Sequence, residues 1–324
     1  MNDCFEQSPS RALPIPTSIS LQAQQFLQES AAMIAAGIAQ GESPPASDTE
    51  AWRGRVALMN AMFDPMIDMM LSSSSATVER KTMGGVSVGV GTPNDMKHEG
   101  RARLCIHGGA FVLLGGRYVM GDAVQAAAEG GCMAYSVDYR MPPEFPYPAA
   151  VDDCLAVYRE LLKEYEPRRI AISGASAGGN LAAAVTLRIR DAGLPLPGAV
   201  GLLTPAVDLS SSGDSWQVNY GVDVLTQPDA GGIYVDDHNR NEPYASPLFA
   251  DFTQGFPPTF IQAGTRDRLL SDAARMHRTL LKANVETELH IWEAMPHGGF
   301  GGFSPEDVEI RMEFLKFVEK HLAA

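Results

Sequence analysis

One stretch constrains this chain more than any other: Ala171-Ile172-Ser173-Gly174-Ala175-Ser176-Ala177-Gly178-Gly179-Asn180. The segment 169–172 reads as a short buried strand, and Leu181-Ala182-Ala183-Ala184-Val185 continues as a helix. Between them lies a tight turn of small residues, with Ser176 at its apex. The pattern Gly-x-Ser-x-Gly is the sequence form of a nucleophile elbow. Such a turn holds the serine in a sparsely populated backbone conformation, so that its hydroxyl stands clear of the sheet. The residues two before and two after must then be small, as Gly174 and Gly178 are. Ser176 also stands at a helix N-terminus, where free N–H groups and the helix dipole favour developing negative charge. A glycine-rich connection with an incidental serine reads the same locally. The rest of the chain has to decide.

The surrounding pattern alternates. Helices are expected at 21–40 and at 48–71, the second bent or broken around Pro65. That second helix carries Met59, Met62, Met66, Met69 and Met70, either as flexible packing or as a deformable apolar wall over a binding site. Strands at 76–81 and 86–90 form a hairpin through Gly84-Gly85. Strands follow at 102–106, 133–137, 169–172, 200–203, 259–263 and 286–292, with helices at 119–130, 148–165, 271–283 and 305–321. The segment 208–255 has no clear strand, and an insertion of that length suggests a lid or cap. The expectation is an α/β fold: a mostly parallel eight-stranded sheet with helices on both faces and an antiparallel hairpin at one edge.

Composition narrows the function classes. A net charge of -14, with no concentration of Lys and Arg, argues against a nucleic-acid partner. Four cysteines, none in a C-x-x-C pair, suit reduced core residues better than a disulfide framework. Residues 1–16 lack an apolar signal region, and no apolar run reaches membrane-spanning length. A cytoplasmic protein with no membrane span is the expectation.

A serine hydroxyl needs a base, and the base needs an orienting acid. In parallel α/β sheets reactive groups gather at the carboxyl ends of strands. Asp267 follows the strand 259–263, and His297 follows 286–292 within Met295-Pro296-His297-Gly298-Gly299. The chain order Ser176, Asp267, His297 fits the elbow. Asp272 is an alternative acid, but it falls in the first turn of the next helix, where a carboxylate is expected anyway. His277 and His321 fall on helices, His290 in a strand, His98 and His238 in polar loops, and His107 braces the loop it begins. Acyl transfer also passes through an oxyanion that needs preorganised N–H donors. Gly108, Gly109 and Ala110, after the strand 102–106, can offer them, and so can Ala177. A phosphate-cradling loop is the rival, without the Lys-Ser/Thr it requires. Arg140 and Glu144 are expected to tie loops together near the elbow, and Asp236-Asp237-His238 to be a solvated loop rather than a metal site.

The chain resembles the hormone-sensitive lipase family of α/β-hydrolases, the bacterial family IV esterases, from about 103 to its end. The resemblance rests on His107-Gly108-Gly109, Val137-Asp138-Tyr139-Arg140-Met141-Pro142-Pro143-Glu144, Pro148-Ala149-Ala150-Val151-Asp152-Asp153, and the elbow with Gly179-Asn180-Leu181-Ala182. It implies cofactor-free hydrolysis of a small-molecule carboxylic ester, often with a short to medium acyl chain. It implies N-terminal cap helices (1–50), a first core segment (51–207), a cap insertion (208–255) and a second core segment (256–324). It also implies homodimers paired through 286–292. Two positions depart from the pattern: Ala175 stands where Asp or Thr usually precedes the nucleophile, and Ala110 where a third glycine is usual. The same machinery could open lactones, including terpenoid ones. Some relatives with this fold are ligand receptors that have lost catalytic residues, whereas all three triad candidates are present here.

Overall fold

In the computed structural model, residues 13–39, 43–73, 75–226, 231–236 and 239–323 are described. The sheet strands are β1 (Ala76–Met83), β2 (Val86–Pro93), β3 (Ala102–Ile106), β4 (Met133–Asp138), β5 (Ile170–Ala175), β6 (Ala199–Leu203), β7 (Thr259–Gly264) and β8 (Thr287–Trp292). They form one eight-stranded sheet in the order β1-β2-β4-β3-β5-β6-β7-β8. The pairs from β4 to β8 are all parallel, while β2 runs antiparallel to both β1 and β4. The expected hairpin edge and parallel body are both present. The elbow strand β5 is interior, between β3 and β6.

The helices are α1 (Leu21–Ala39), α2 (Thr49–Ala61), α3 (Asp64–Ser73), α4 (Tyr118–Gly130), α5 (Ala149–Leu161), α6 (Ala177–Asp191), α7 (Asp214–Val218), α8 (Leu270–Lys282) and α9 (Pro305–His321). Strand alternation assigns them to two layers. Ile170 and Ile172 of β5 join a core with residues of α5, α6 and α8, whereas Ala171 between them packs with Phe314 and Phe317 of α9. Likewise Cys105 of β3 meets Ala126 and Ala127 of α4. Helix α6 is buried almost throughout: Leu181, Val185 and Leu187 are fully inaccessible. Each such side chain contributes about 1.5–3 kcal/mol.

The expected long helix at 48–71 is two helices. The break falls between Ala61 and Asp64, ahead of Pro65, which sits in the first turn of α3. A proline there gives up an N–H that has no intrahelical partner in any case. In the insertion 208–255 the described residues form α7 and one short 3₁₀ turn, Pro247–Phe249, and no strand. Cys105, Cys132 and Cys154 are buried free thiols, and burial pushes Cys105 up to about 12. Cys4 lies outside the described residues. Among those residues no helix is long and apolar enough to cross a membrane.

Candidate active site

The turn at Ser176 is as strained as its motif implies. Its φ is 57° and ψ is -120°, a conformation rare for a residue with a side chain. Hydrogen bonds hold it there: its N–H donates to Leu203 O at 2.9 Å, and its carbonyl accepts from Ala206 and Asn180. The flanking glycines answer to close contact. A Cβ on Gly174 would lie 2.2 Å from the Gly178 carbonyl oxygen, and one on Gly178 would lie 1.9 Å from that of Ile106. Strands β3 and β5 and helix α6 can converge here only if both positions are bare.

Three side chains from three loops meet at this point. His297 Nε2 lies 2.8 Å from Ser176 Oγ, and His297 Nδ1 lies 3.1 Å from Asp267 Oδ1. A carboxylate only accepts, so Nδ1 carries the proton and Nε2 is left to accept from the serine hydroxyl. Asp267 is fully buried, and the same Oδ1 accepts the Leu269 N–H at 2.8 Å. Burial disfavours a charged imidazole, but the charge and hydrogen bond of Asp267, helped by Asp223, outweigh it and raise His297 above the usual histidine value. Asp272 does sit in the first turn of α8. It accepts the N–H of Asp208 at 2.9 Å, and burial pushes its carboxyl well up.

The loop after β3 closes over the serine. A Cβ on Gly108 would lie 2.8 Å from Ala175 O and 3.3 Å from Ser176 Cβ. Gly109 and Ala110 both have positive φ, 94° and 51°. The N–H groups of Gly109, Ala110 and Ala177 donate to no acceptor among the described residues. The next residue, Phe111, stacks on Tyr234 of the insertion with ring centroids 3.9 Å apart. His107 braces the loop as expected. It stacks on Tyr139 at 4.1 Å, its Nδ1 lies 2.9 Å from Gly108 O, and burial pushes it down to about 4, so it stays neutral.

The remaining candidates separate. Arg140 and Glu144 do not pair with each other: Arg140 binds Asp153 of α5 at 2.7 Å, and Glu144 binds Arg53 of α2 at 2.6 Å. Both tie the loop after β4 to neighbouring helices. Of Asp236-Asp237-His238, the last two lie outside the described residues, and among the described residues no cluster of metal-ligating side chains occurs. His98 faces Glu319, His290 is on β8, and His277 and His321 are on α8 and α9. The methionines divide. Met59 packs with Trp52 and Val112, while Met66, Met69 and Met70 line a cavity of about 570 Å³ that reaches Gly298, next to His297.

One residue escaped the sequence reading. Asp223, in the insertion, is fully buried and accepts the backbone N–H of His297 at 2.8 Å. No motif or spacing marks it.

A family profile described as the alpha/beta hydrolase fold matches residues 103–301. An acetyl-hydrolase of Streptomyces hygroscopicus is 35% identical over 214 residues, covering 62% of this chain and 69% of that protein. An esterase of Acinetobacter venetianus is 35% identical over 196 residues, covering 59% of this chain and 64% of that protein. Among solved structures, one esterase superposes with a TM-score of 0.90 at 32% identity, over 99% of this chain and 100% of its own. An esterase from the bacterial hormone-sensitive lipase family superposes with a TM-score of 0.79 at 30% identity, over 92% of this chain and 99% of its own. The chain belongs to the α/β-hydrolase fold family, among the bacterial esterases of the hormone-sensitive lipase type.

Proposed function

We propose that this esterase hydrolyses carboxylic esters of short to medium acyl chains through a Ser176-His297-Asp267 triad and an acyl-enzyme. Ser176 Oγ attacks the ester carbonyl while His297 Nε2 takes its proton. Asp267 orients the ring and stabilises the imidazolium. The N–H groups of Gly109, Ala110 and Ala177 receive the oxyanion, and Ala110 serves as well as glycine because the donor is the backbone. His297 then returns the proton to the leaving alkoxide. Water, activated by the same ring, releases the acid.

The observation that carries this reading is the 2.8 Å approach of His297 Nε2 to Ser176 Oγ, with Nδ1 facing the buried Asp267. The acyl preference is supported by the relative named acetyl-hydrolase. A cap built from α1 and the insertion is supported by contacts near the base. Ala23 and Leu27 of α1 pack on Met295 and Phe300, which flank His297. The test is turnover of p-nitrophenyl esters of increasing chain length, beside Ser176→Ala. Wild-type turnover that is fastest on the shorter chains and abolished in the variant is expected. Equal turnover by the variant overturns the mechanism.

A further inference from the structure

The triad leaves one buried ionisable group beside it unexplained. Asp223 has no solvent exposure. Its Oδ1 accepts the N–H of Val224 at 2.7 Å and of His297 at 2.8 Å, and its Oδ2 accepts the N–H of Arg268 at 2.8 Å. An Asp side chain commonly accepts from N–H groups a few positions away in its own loop. Here two of the donors lie 74 and 45 positions away in sequence. One is the main chain of the base itself, and the other directly follows Asp267. A single carboxylate thus joins the insertion, the loop after β7 and the loop after β8.

The same stretch of the insertion wraps the acid loop. Asn219 Nδ2 donates to Asp267 O at 2.9 Å. Arg268 Nε donates to Trp216 O at 2.8 Å, and its guanidinium lies 3.7 Å from the centroid of the Trp216 ring. Burying a negative charge is costly even when it is hydrogen-bonded, unless a positive charge nearby needs it as a partner. An asparagine would avoid that cost while still offering one acceptor oxygen. The nearby need is the imidazolium that forms on His297 when it takes a proton.

We propose that Asp223 is a positioning residue for the base: it locks the main chain of His297 to that of the acid loop, and its charge stabilises the imidazolium formed during catalysis. This rests on the triad reading above. Charged and titratable groups surround His297. The acid loop presents Asp267 and Arg268, the insertion presents Asp223, and the elbow presents Ser176. From α9, Asp307 is committed to the N–H groups of Phe300, Gly302 and Ser304. Asp272 is committed to Asp208, which pairs with Arg275 at 2.6 Å. Burial and then the charge of Asp267 hold the Asp223 carboxyl above the usual carboxylate range, while a protonated His297 pulls it back down and is itself raised by Asp223, so that carboxylate and imidazolium favour each other.

The test uses the full chain with p-nitrophenyl acetate and the variants Asp223→Asn, Asp223→Ser and Asp223→Ala, each checked for folding by circular dichroism and thermal melting. In a folded variant, kcat is expected to fall at least about tenfold while KM stays within about twofold. The acid limb of kcat/KM is expected to move at least about half a pH unit lower, because the imidazolium has lost a neighbouring negative charge. A loose loop alone would lower kcat without moving that limb. A folded variant with the wild-type acid limb overturns the proposal, and so does failure of all three variants to fold, which would make Asp223 a structural brace. Either result with an active wild type and a dead Ser176→Ala leaves the triad standing. An inactive wild type, or an active Ser176→Ala, removes the triad reading itself.

Discussion

Asn180 donates from its side-chain amide to the carbonyl oxygen of Ala245, 2.7 Å away and 65 positions later in the chain. The same Nδ2 reaches Ala206 O at 2.7 Å. One buried side chain at the start of α6 therefore ties the elbow helix to the segment entering the insertion and to the segment near its end.

Asn180→Ala should cost stability because it leaves two buried carbonyl oxygens without this donor. The expected loss is about 2–6 kcal/mol, from roughly 1–3 kcal/mol for each of the two orphaned buried groups. Urea denaturation followed by tryptophan fluorescence measures it. A change under about 0.5 kcal/mol would mean that other donors or water replace the amide.

Activity should follow the neutral form of His297. The folded-state pKa of this ring lies above 6.5, so the fraction able to accept the serine proton falls as pH drops through that raised value. The stability linkage runs the other way. The protonated ring is favoured in the folded state, so its stabilisation is complete below the unfolded value and is lost as pH rises through the folded one. As pH rises from 6.5 through the raised value, kcat/KM should climb while this contribution to stability declines. A pH–rate profile paired with melting temperatures in the same buffers tests both signs. An acid limb centred below 6.5 contradicts the assignment.

Gly178→Ala should be far worse than an ordinary helix substitution, although alanine is the better helix former. The added methyl carbon would lie 1.9 Å from Ile106 O and 2.6 Å from His107 O, both backbone atoms. Relief requires β3 to move away from α6, which displaces the loop over Ser176. Loss of soluble protein, or destabilisation beyond about 3 kcal/mol, is the expected outcome. A folded, fully active variant would show that the elbow tolerates a looser approach.

Strand β8 ends the sheet, with one edge unpaired among the described residues and Ile291 43% exposed. Exposed strand edges invite pairing with another chain. We expect a homodimer joined along β8, with light scattering at twice the chain mass and a shift to monomer on Ile291→Lys. Monomer alone at working concentration removes this proposal.

Much of the fold and most of the candidate site were legible in the residues. Strands with period-two burial, such as Ile170-Ala171-Ile172, reveal themselves because opposite faces of the sheet meet different helices. The elbow reveals itself because Gly174 and Gly178 are dictated by contacts within one local turn and its neighbours. Ser176, Asp267 and His297 could be named because each follows a recognisable element. The separation of α2 from α3 ahead of Pro65 was only half legible, since a proline in a first turn looks like a proline that breaks a helix.

By itself, then, the sequence determined the layered α/β fold, the strained serine turn and the order in which an acid and a base could serve it. These depend on periodicity and on small residues, which are written into neighbouring positions. Only the tertiary structure decided that Arg140 and Glu144 look to Asp153 and Arg53 rather than to each other, and that Asp223 stands behind His297. The partners of Asp223 are backbone N–H groups brought together from distant loops. Every residue but proline carries such a group, so no residue type or spacing records which ones will meet.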